Sequence, residues 1–262
     1  MIFYFTATGN SLYVAKQLDD ICISIPQALK GNLNFTDDKI GIVCPIYGHE
    51  MPKMVKEFVR KATFNTNYLY LVETYGHRHG GAIELAEKNF EEGKKHTDYS
   101  TTISLVDNFL PSFDMNEERE FDKYRDIENN IKKIKEDIDS KKKWHQIVTD
   151  ADKAIHQEYL QRIKDKPNAY NENLYLVTDD CIGCGICTRV CPVGCIELKN
   201  QHAVHNLKNE KGEFVCNVCM ACIHHCPKKA IKLSIPEKNP DARYRNENIK
   251  LIEIVKANNQ NK

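Results

Sequence analysis

No segment of this 262-residue chain is apolar for as long as a membrane-spanning helix requires. The first ten residues, MIFYFTATGN, lack the basic stretch of an export signal and turn polar at Thr6. Charge of one sign is missing too. With 37 Lys and Arg against 37 Asp and Glu, the total shows neither a nucleic-acid footprint nor an acid-rich carrier surface. Glycine and proline are absent between Pro111 and Pro167, which leaves that stretch without turn signals. These absences leave a non-exported chain, read as cytoplasmic and long enough for two domains with separate cores. Cysteine, by contrast, is plentiful. A count of 11 in a reducing compartment points to metal ligation rather than disulfides.

Eight of those cysteines fall into two copies of one spacing. Cys181, Cys184, Cys187 and Cys191 precede Pro192; Cys216, Cys219, Cys222 and Cys226 precede Pro227. Each copy reads C-x-x-C-x-x-C-x-x-x-C-P, the bacterial run that ligates iron–sulfur clusters through thiolates, its fourth Cys serving the other cluster. The expected ligand sets are Cys181, Cys184, Cys187 and Cys226 for one cluster, and Cys216, Cys219, Cys222 and Cys191 for the second. Three cysteines at two-residue intervals let a loop fold around one face of a cuboidal cluster, and the following Pro bends the chain away. Gly183 and Gly185 allow close approach of backbone to a cofactor. A pair of zinc knuckles is the competing reading, but zinc has no use for a third cysteine in each run. Cys195 reads as a small packing residue rather than a ninth ligand, and Cys22 and Cys44 as inert thiols in strands. Residues 170–235 resemble the two-cluster bacterial ferredoxins, which implies two 4Fe–4S clusters. Residues 169–262 carry 13 Lys and Arg against 10 Asp and Glu, a surplus that thiolate-bound clusters would reverse.

At the other end of the chain, the apolar run Ile2 to Phe5 reads as a buried parallel strand. It ends in Thr6-Ala7-Thr8-Gly9-Asn10-Ser11, and behind that loop Leu12, Ala15 and Leu18 have helical spacing. Strand, hydroxyl-rich loop and helix make a phosphate cradle of backbone N–H groups, hydroxyls and a positive helix end. The loop has no Lys, which excludes a nucleotide-hydrolysing P-loop, and no G-x-G-x-x-G, which excludes the dinucleotide fingerprint. The segment resembles the flavodoxin signature, whose loop binds the phosphate of FMN. By that resemblance Thr6, Thr8, Asn10 and Ser11 contact the phosphate and Gly9 permits the turn, with Ser11 standing where Thr is usual. Two further apolar strands, Ile40 to Cys44 and Tyr68 to Val72, run into the loops Pro45–Pro52 and Glu73–Gly81. In a flavodoxin-like sheet of order 2-1-3-4-5, FMN sits at the switch point between the first and third strands. With Ile21–Ile25 as the second strand, all three loops reach it. Tyr47, flanked by Pro45 and Gly48, is expected against the isoalloxazine face, and Tyr75 and Gly76 along its other edge. His77 and His79 are either proton suppliers to the flavin or idle surface residues.

Met54–Ala62 and Ala82–Gly93 read as crossover helices and Thr101–Val106 as a fifth strand. Between Pro111 and Pro167, apolar residues at steps of three or four predict two amphipathic helices. One runs from Phe121 to Ile138 and closes the sheet; the other runs from Trp144 to Ile163 and bridges to the cysteine domain. Leu174–Thr178 reads as a strand, Ile196–Lys199 and Ala203–His205 as a hairpin. A short tail helix is expected to present Ile249, Ile252 and Val255. The fold class is α/β, a flavodoxin-like doubly wound parallel sheet with a helical linker and a small α+β two-cluster ferredoxin-like domain. The divisions fall at 1–140, 141–168 and 169–235, with a tail over 236–262. The combination resembles the flavodoxin–ferredoxin fusion proteins. It implies an electron carrier that relays electrons between FMN and two 4Fe–4S clusters and serves redox partner proteins. The alternatives are an FMN-dependent reductase of a small acceptor, and a ferredoxin whose empty flavodoxin-like domain serves for docking.

Overall fold

Apolar runs set the first half of the fold. The computed structural model describes residues 1–165, 171 and 173–261. Strand β1 (Ile2–Tyr4) is buried along its length and leads through the Thr6–Gly9 loop into α1 (Asn10–Leu18). Then follow β2 (Cys22–Ser24), the single-turn α2 (Ile25–Ala28), β3 (Asn34–Thr36) and β4 (Lys39–Pro45). Helix α3 (Lys53–Lys61) and β5 (Thr63–Asn65) precede β6 (Tyr68–Tyr75), and α4 (Ala82–Glu92) precedes β7 (Tyr99–Ser104). Next come α5 (Met115–Asp122), α6 (Ile127–Asp139), β8 (Trp144–His145) and α7 (Asp150–Asp165).

The six strands β2-β1-β4-β6-β7-β8 form one sheet, every pair parallel, and its first five strands realise the order 2-1-3-4-5. Strands β4 and β6 are covered on both faces, which is why they are continuous apolar runs rather than alternating ones. Gly41 is required in β4, because a Cβ there would lie 2.2 Å from the Tyr70 ring. The strands β3 and β5 form a separate parallel pair, with Phe35 and Phe64 packed around Phe3 and Phe58.

Two departures from the predicted helices have identifiable causes. The first helix is broken into α5 and α6 by a turn at Asp126, which takes a left-handed φ of 49°. The turn brings the Arg125 guanidinium inward to Glu118 Oε2 (3.0 Å) and Ser104 Oγ (3.0 Å), a buried pair that holds the end of β7. The second helix starts at Asp150, not Trp144. The free edge of β7 captures Trp144–His145 as a strand, with Trp144 N–H donating to Asp98 O and Gln146 N–H to Ser100 O. Backbone pairing at a sheet edge outweighs a helical side-chain period there. The sheet thus extends beyond residue 140, and the expected 168/169 division lies outside the described residues.

In the cysteine-bearing half, β9 (Tyr175–Val177) pairs antiparallel with a later strand; α8 (Ile186–Val190) follows inside the first cysteine run. The hairpin is β10 (Ile196–Lys199) with β11 (His202–His205); then come α9 (Ala221–His224), the partner strand β12 (Ile231–Leu233) and α10 (Leu251–Asn258). The tail segment does dock, with Ile249 buried, Val255 partly buried and Ile254, Ala257 and Asn258 on the helix's inner face, while Ile252 points outward at 54% exposure. It lies across both halves: Asn258 Nδ2 donates to Thr6 O (2.9 Å) and to Val190 O (3.3 Å). Among the described residues no helix is long and apolar enough to cross a membrane.

Candidate cofactor sites

A groove of about 1050 Å³ opens where the carboxyl ends of β1, β4, β6 and β7 meet. Thr6, Thr8, Asn10, Ser11, Pro45, Tyr47, Gly48, Tyr75 and Gly76 all line it; Gly9 lies behind, with φ 111° and its N–H donating to Thr6 Oγ1. A side chain at position 9 would meet Asn246 Cβ at 2.8 Å, so glycine also lets the tail close over the loop. Gly76 performs a similar service on the opposite wall, where a Cβ would fall 2.1 Å from Asp107 Cβ. Tyr47 and Glu50 exchange backbone hydrogen bonds across a turn in which Gly48 and His49 have φ of 59° and 66°.

The Thr6 and Thr8 hydroxyls keep protons to give. Thr8 Oγ1 accepts from Asn108 Nδ2 (2.8 Å), and Ser11 Oγ and Thr74 Oγ1 share one hydrogen bond (2.8 Å). Thr6 Oγ1 is likewise an acceptor, from Gly9 N–H. Asn10, which also lines the groove, is tied to its neighbours. Its Nδ2 donates to Val106 O, and its Oδ1 accepts from Tyr244 Oη and Asn246 Nδ2, so it fastens the tail. Tyr47 sits edge-on to Phe5, and its buried Oη lacks a hydrogen-bond partner. Burial pushes its phenol well above the ordinary range, so it stays protonated. An orphaned hydroxyl and several hydroxyl donors around an open groove fit a polar, aromatic, phosphate-bearing cofactor such as FMN.

Both histidines of the third loop are engaged. His77 Nε2 lies 2.5 Å from Glu118 Oε1 and its ring stacks on Phe113, while His79 contacts Gly80 O and lies 3.7 Å from Asp152. Other groove residues are not visible as a local motif. Lys53, Arg78 and Arg162 bring positive charge to the rim, although residues 6–11 contain none. The far wall comes from the cysteine half: Phe214, Cys216, Asn217, Val218 and Met220.

The eight repeat cysteines divide between two small cavities. Cys181, Cys184, Cys187 and Cys226 line the first, with Ile182, Ile186 and Leu198. Cys191, Cys216, Cys219 and Cys222 line the second, together with Cys195, Tyr175 and His205. The fourth cysteine of each run therefore faces the cavity of the other run. Four thiols spread around a cavity suit the four iron corners of a cluster better than a single ion. Among the described residues no three His, Cys, Asp or Glu groups converge on a single-ion site. The backbone repeats as well. Gly183 and Gly185 have φ of 64° and 69°, and their counterparts Val218 and Met220 keep the same left-handed conformation at 51° and 58°. Cavity demands on the loop thus override side-chain preference, since left-handed φ is unusual for a β-branched residue. Burial pushes the Cys187 thiol up to about 11 and that of Cys222 well up, so binding of a cluster to thiolates would release protons.

Comparison with known proteins agrees with this division. Residues 180–231 match the family described as a 4Fe–4S dicluster domain. Among solved structures, the two-electron reduced flavodoxin of Megasphaera elsdenii, determined in solution, is similar at 16% identity and a TM-score of 0.28. That likeness covers 38% of this chain and 82% of the flavodoxin, and the fold assignment rests on strand order instead. No curated protein matches the chain. A flavodoxin-like α/β sheet is therefore joined here to a ferredoxin-like 4Fe–4S dicluster domain, an arrangement for electron transfer.

Proposed function

We propose that the chain relays electrons between FMN in the groove and two 4Fe–4S clusters, one in each thiol cavity. The observation that carries this reading is a shared wall: Cys216 and Asn217 border both the groove and the second cavity. When bound, FMN exchanges electrons singly or in pairs and each cluster exchanges one. The protein's part is to hold and to tune. Cys181, Cys184, Cys187 and Cys226 hold one cluster; Cys216, Cys219, Cys222 and Cys191 hold the other. Thr6, Thr8 and Ser11 donate to the phosphate, Tyr47 covers the ring, and Lys53, Arg78 and Arg162 draw an anionic cofactor toward the groove. Redox partner proteins meet the first cavity, where Cys184 is exposed.

Cofactor analysis of anaerobically purified protein tests the proposal. About eight iron atoms, as many acid-labile sulfides and one FMN per chain are expected. Stoichiometric zinc in place of iron would end the cluster reading, and failure to take up added FMN would leave an empty docking domain. A second reading, an FMN-dependent reductase of a small acceptor, is favoured by the openness of the groove beside Tyr47, Tyr75 and His77. Steady turnover with an added small acceptor, without a partner protein, distinguishes it from a carrier.

A further inference from the structure

The two cavities differ in a way their cysteines do not explain. Around the first, the lining is thiols, aliphatic side chains and Lys228. The second is lined by two buried donors with no hydrogen-bond partner. One is the imidazole of His205, whose Nδ1 and Nε2 are both unpaired; the other is Nδ2 of Asn217. Among the described residues, none of the buried unpaired side-chain groups lines the first cavity. His205 closes strand β11 and stacks on Tyr175, ring centroids 4.7 Å apart at 21°, which fixes its ring at the wall. Asn217 is held between Cys216 and the strained Val218. A buried donor without an acceptor is costly. His205 lines the second cavity and not the groove, which places its acceptor there, and Asn217 stands on the wall that this cavity shares with the groove.

We propose that His205 and Asn217 donate hydrogen bonds to sulfur atoms of the cluster in the second cavity and thereby raise its reduction potential. One-electron reduction adds a negative charge that spreads over the cluster sulfurs. Fixed N–H donors stabilise the more negative form more strongly. The second cavity needs such help. All four of its expected ligands are buried, and burial penalises added charge, whereas the first has the exposed Cys184. The two donors offset that burial and keep the cluster beside the groove reducible.

The test is an EPR-monitored redox titration of the full chain purified without oxygen. His205→Phe keeps a ring on Tyr175 and removes the N–H. One of two reduction waves should move to lower potential while the other stays. His205→Gln, which retains a donor, should recover part of the shift, and Asn217→Ala should move the same wave in the same direction. His205→Phe with full iron and both waves unmoved overturns the proposal. Should that variant lose iron, Asn217→Ala and wild-type proton ENDOR decide. A strongly coupled, D₂O-exchangeable proton seen on a reduced cluster of wild type and missing in Asn217→Ala supports the donors; the same proton signals in both proteins, or an unmoved wave in Asn217→Ala, refute them. The inference rests on the two-cluster reading, which wild-type iron content reports separately. Fewer than about eight iron atoms overturns both, whereas eight with unmoved waves overturns the donors alone.

Discussion

Thr8→Val isolates the phosphate-binding role of the amino-terminal loop. Thr8 is 2% exposed, and its Oγ1 already accepts from Asn108 Nδ2 at 2.8 Å, so the hydroxyl has one proton left to donate into the groove. Valine keeps the branched shape and removes that donor. Asn108 loses a partner in the free and the bound protein alike, so this cost cancels to first order in the affinity. What remains is one hydrogen bond to a charged acceptor, worth about 1.5–3 kcal/mol. At tenfold per 1.4 kcal/mol, FMN should bind about ten- to a hundredfold more weakly. Riboflavin, which has no phosphate, should bind both proteins equally, and iron content should not change. A fluorescence-quenching titration of flavin-free wild type and variant with each flavin measures all four affinities. Equal FMN affinities would refute the assignment of Thr8, and a parallel loss of riboflavin binding would mean the substitution had disturbed the groove instead.

Cys191→Ala should damage the cluster of Cys216, Cys219 and Cys222, and Cys226→Ala that of the first run, as the cavity linings require; Mössbauer spectra showing each variant harming its own run would refute the crossover. Val218→Gly relieves a left-handed φ of 51° and should stabilise the cluster-loaded protein by about 0.5–1 kcal/mol, the left-handed penalty less the entropy glycine loses; an unchanged or lower urea midpoint would contradict this. Glu73 is fully buried with both carboxylate oxygens unpaired, and burial pushes it up to about 8 from 4.5. Between those values the folded state holds a proton that the unfolded state releases, so stability falls as pH rises through that window, by an order of a few kcal/mol in all. Glu73→Gln should flatten the slope in urea midpoints measured across it; an unaltered slope would show that Glu73 ionises freely.

Much of the sheet was legible because strands covered on both faces need unbroken apolar residues, as in Ile40–Cys44 and Tyr68–Val72. The cysteine runs were legible for another reason: ligation constrains spacing directly. The pair β3 and β5 left no trace, since each is three residues with only the middle one partly buried. The break at Asp126 and the capture of Trp144 depend on Arg125 finding Glu118 and on a free sheet edge, neither of which a local period encodes. The groove's far wall and one of its cations were hidden similarly. Arg162 and Phe214 come from distant stretches without a motif, whereas Arg78 lies in the Glu73–Gly81 loop already expected at the groove.

The contacts of the carboxyl-terminal strap have a consequence for the timing of synthesis. Thr8 O accepts from Asn246 N–H, Asn10 is held by Tyr244 and Asn246, and Thr6 O is met by Asn258. A ribosome-bound chain therefore carries an unfinished first loop until residues 244–258 have left the exit tunnel. The cysteine runs precede that strap in the chain, so all eight thiols emerge before the loop can close. If the groove takes flavin as proposed, its loading would follow closure of the strap, although the loop precedes the cysteine runs in the chain.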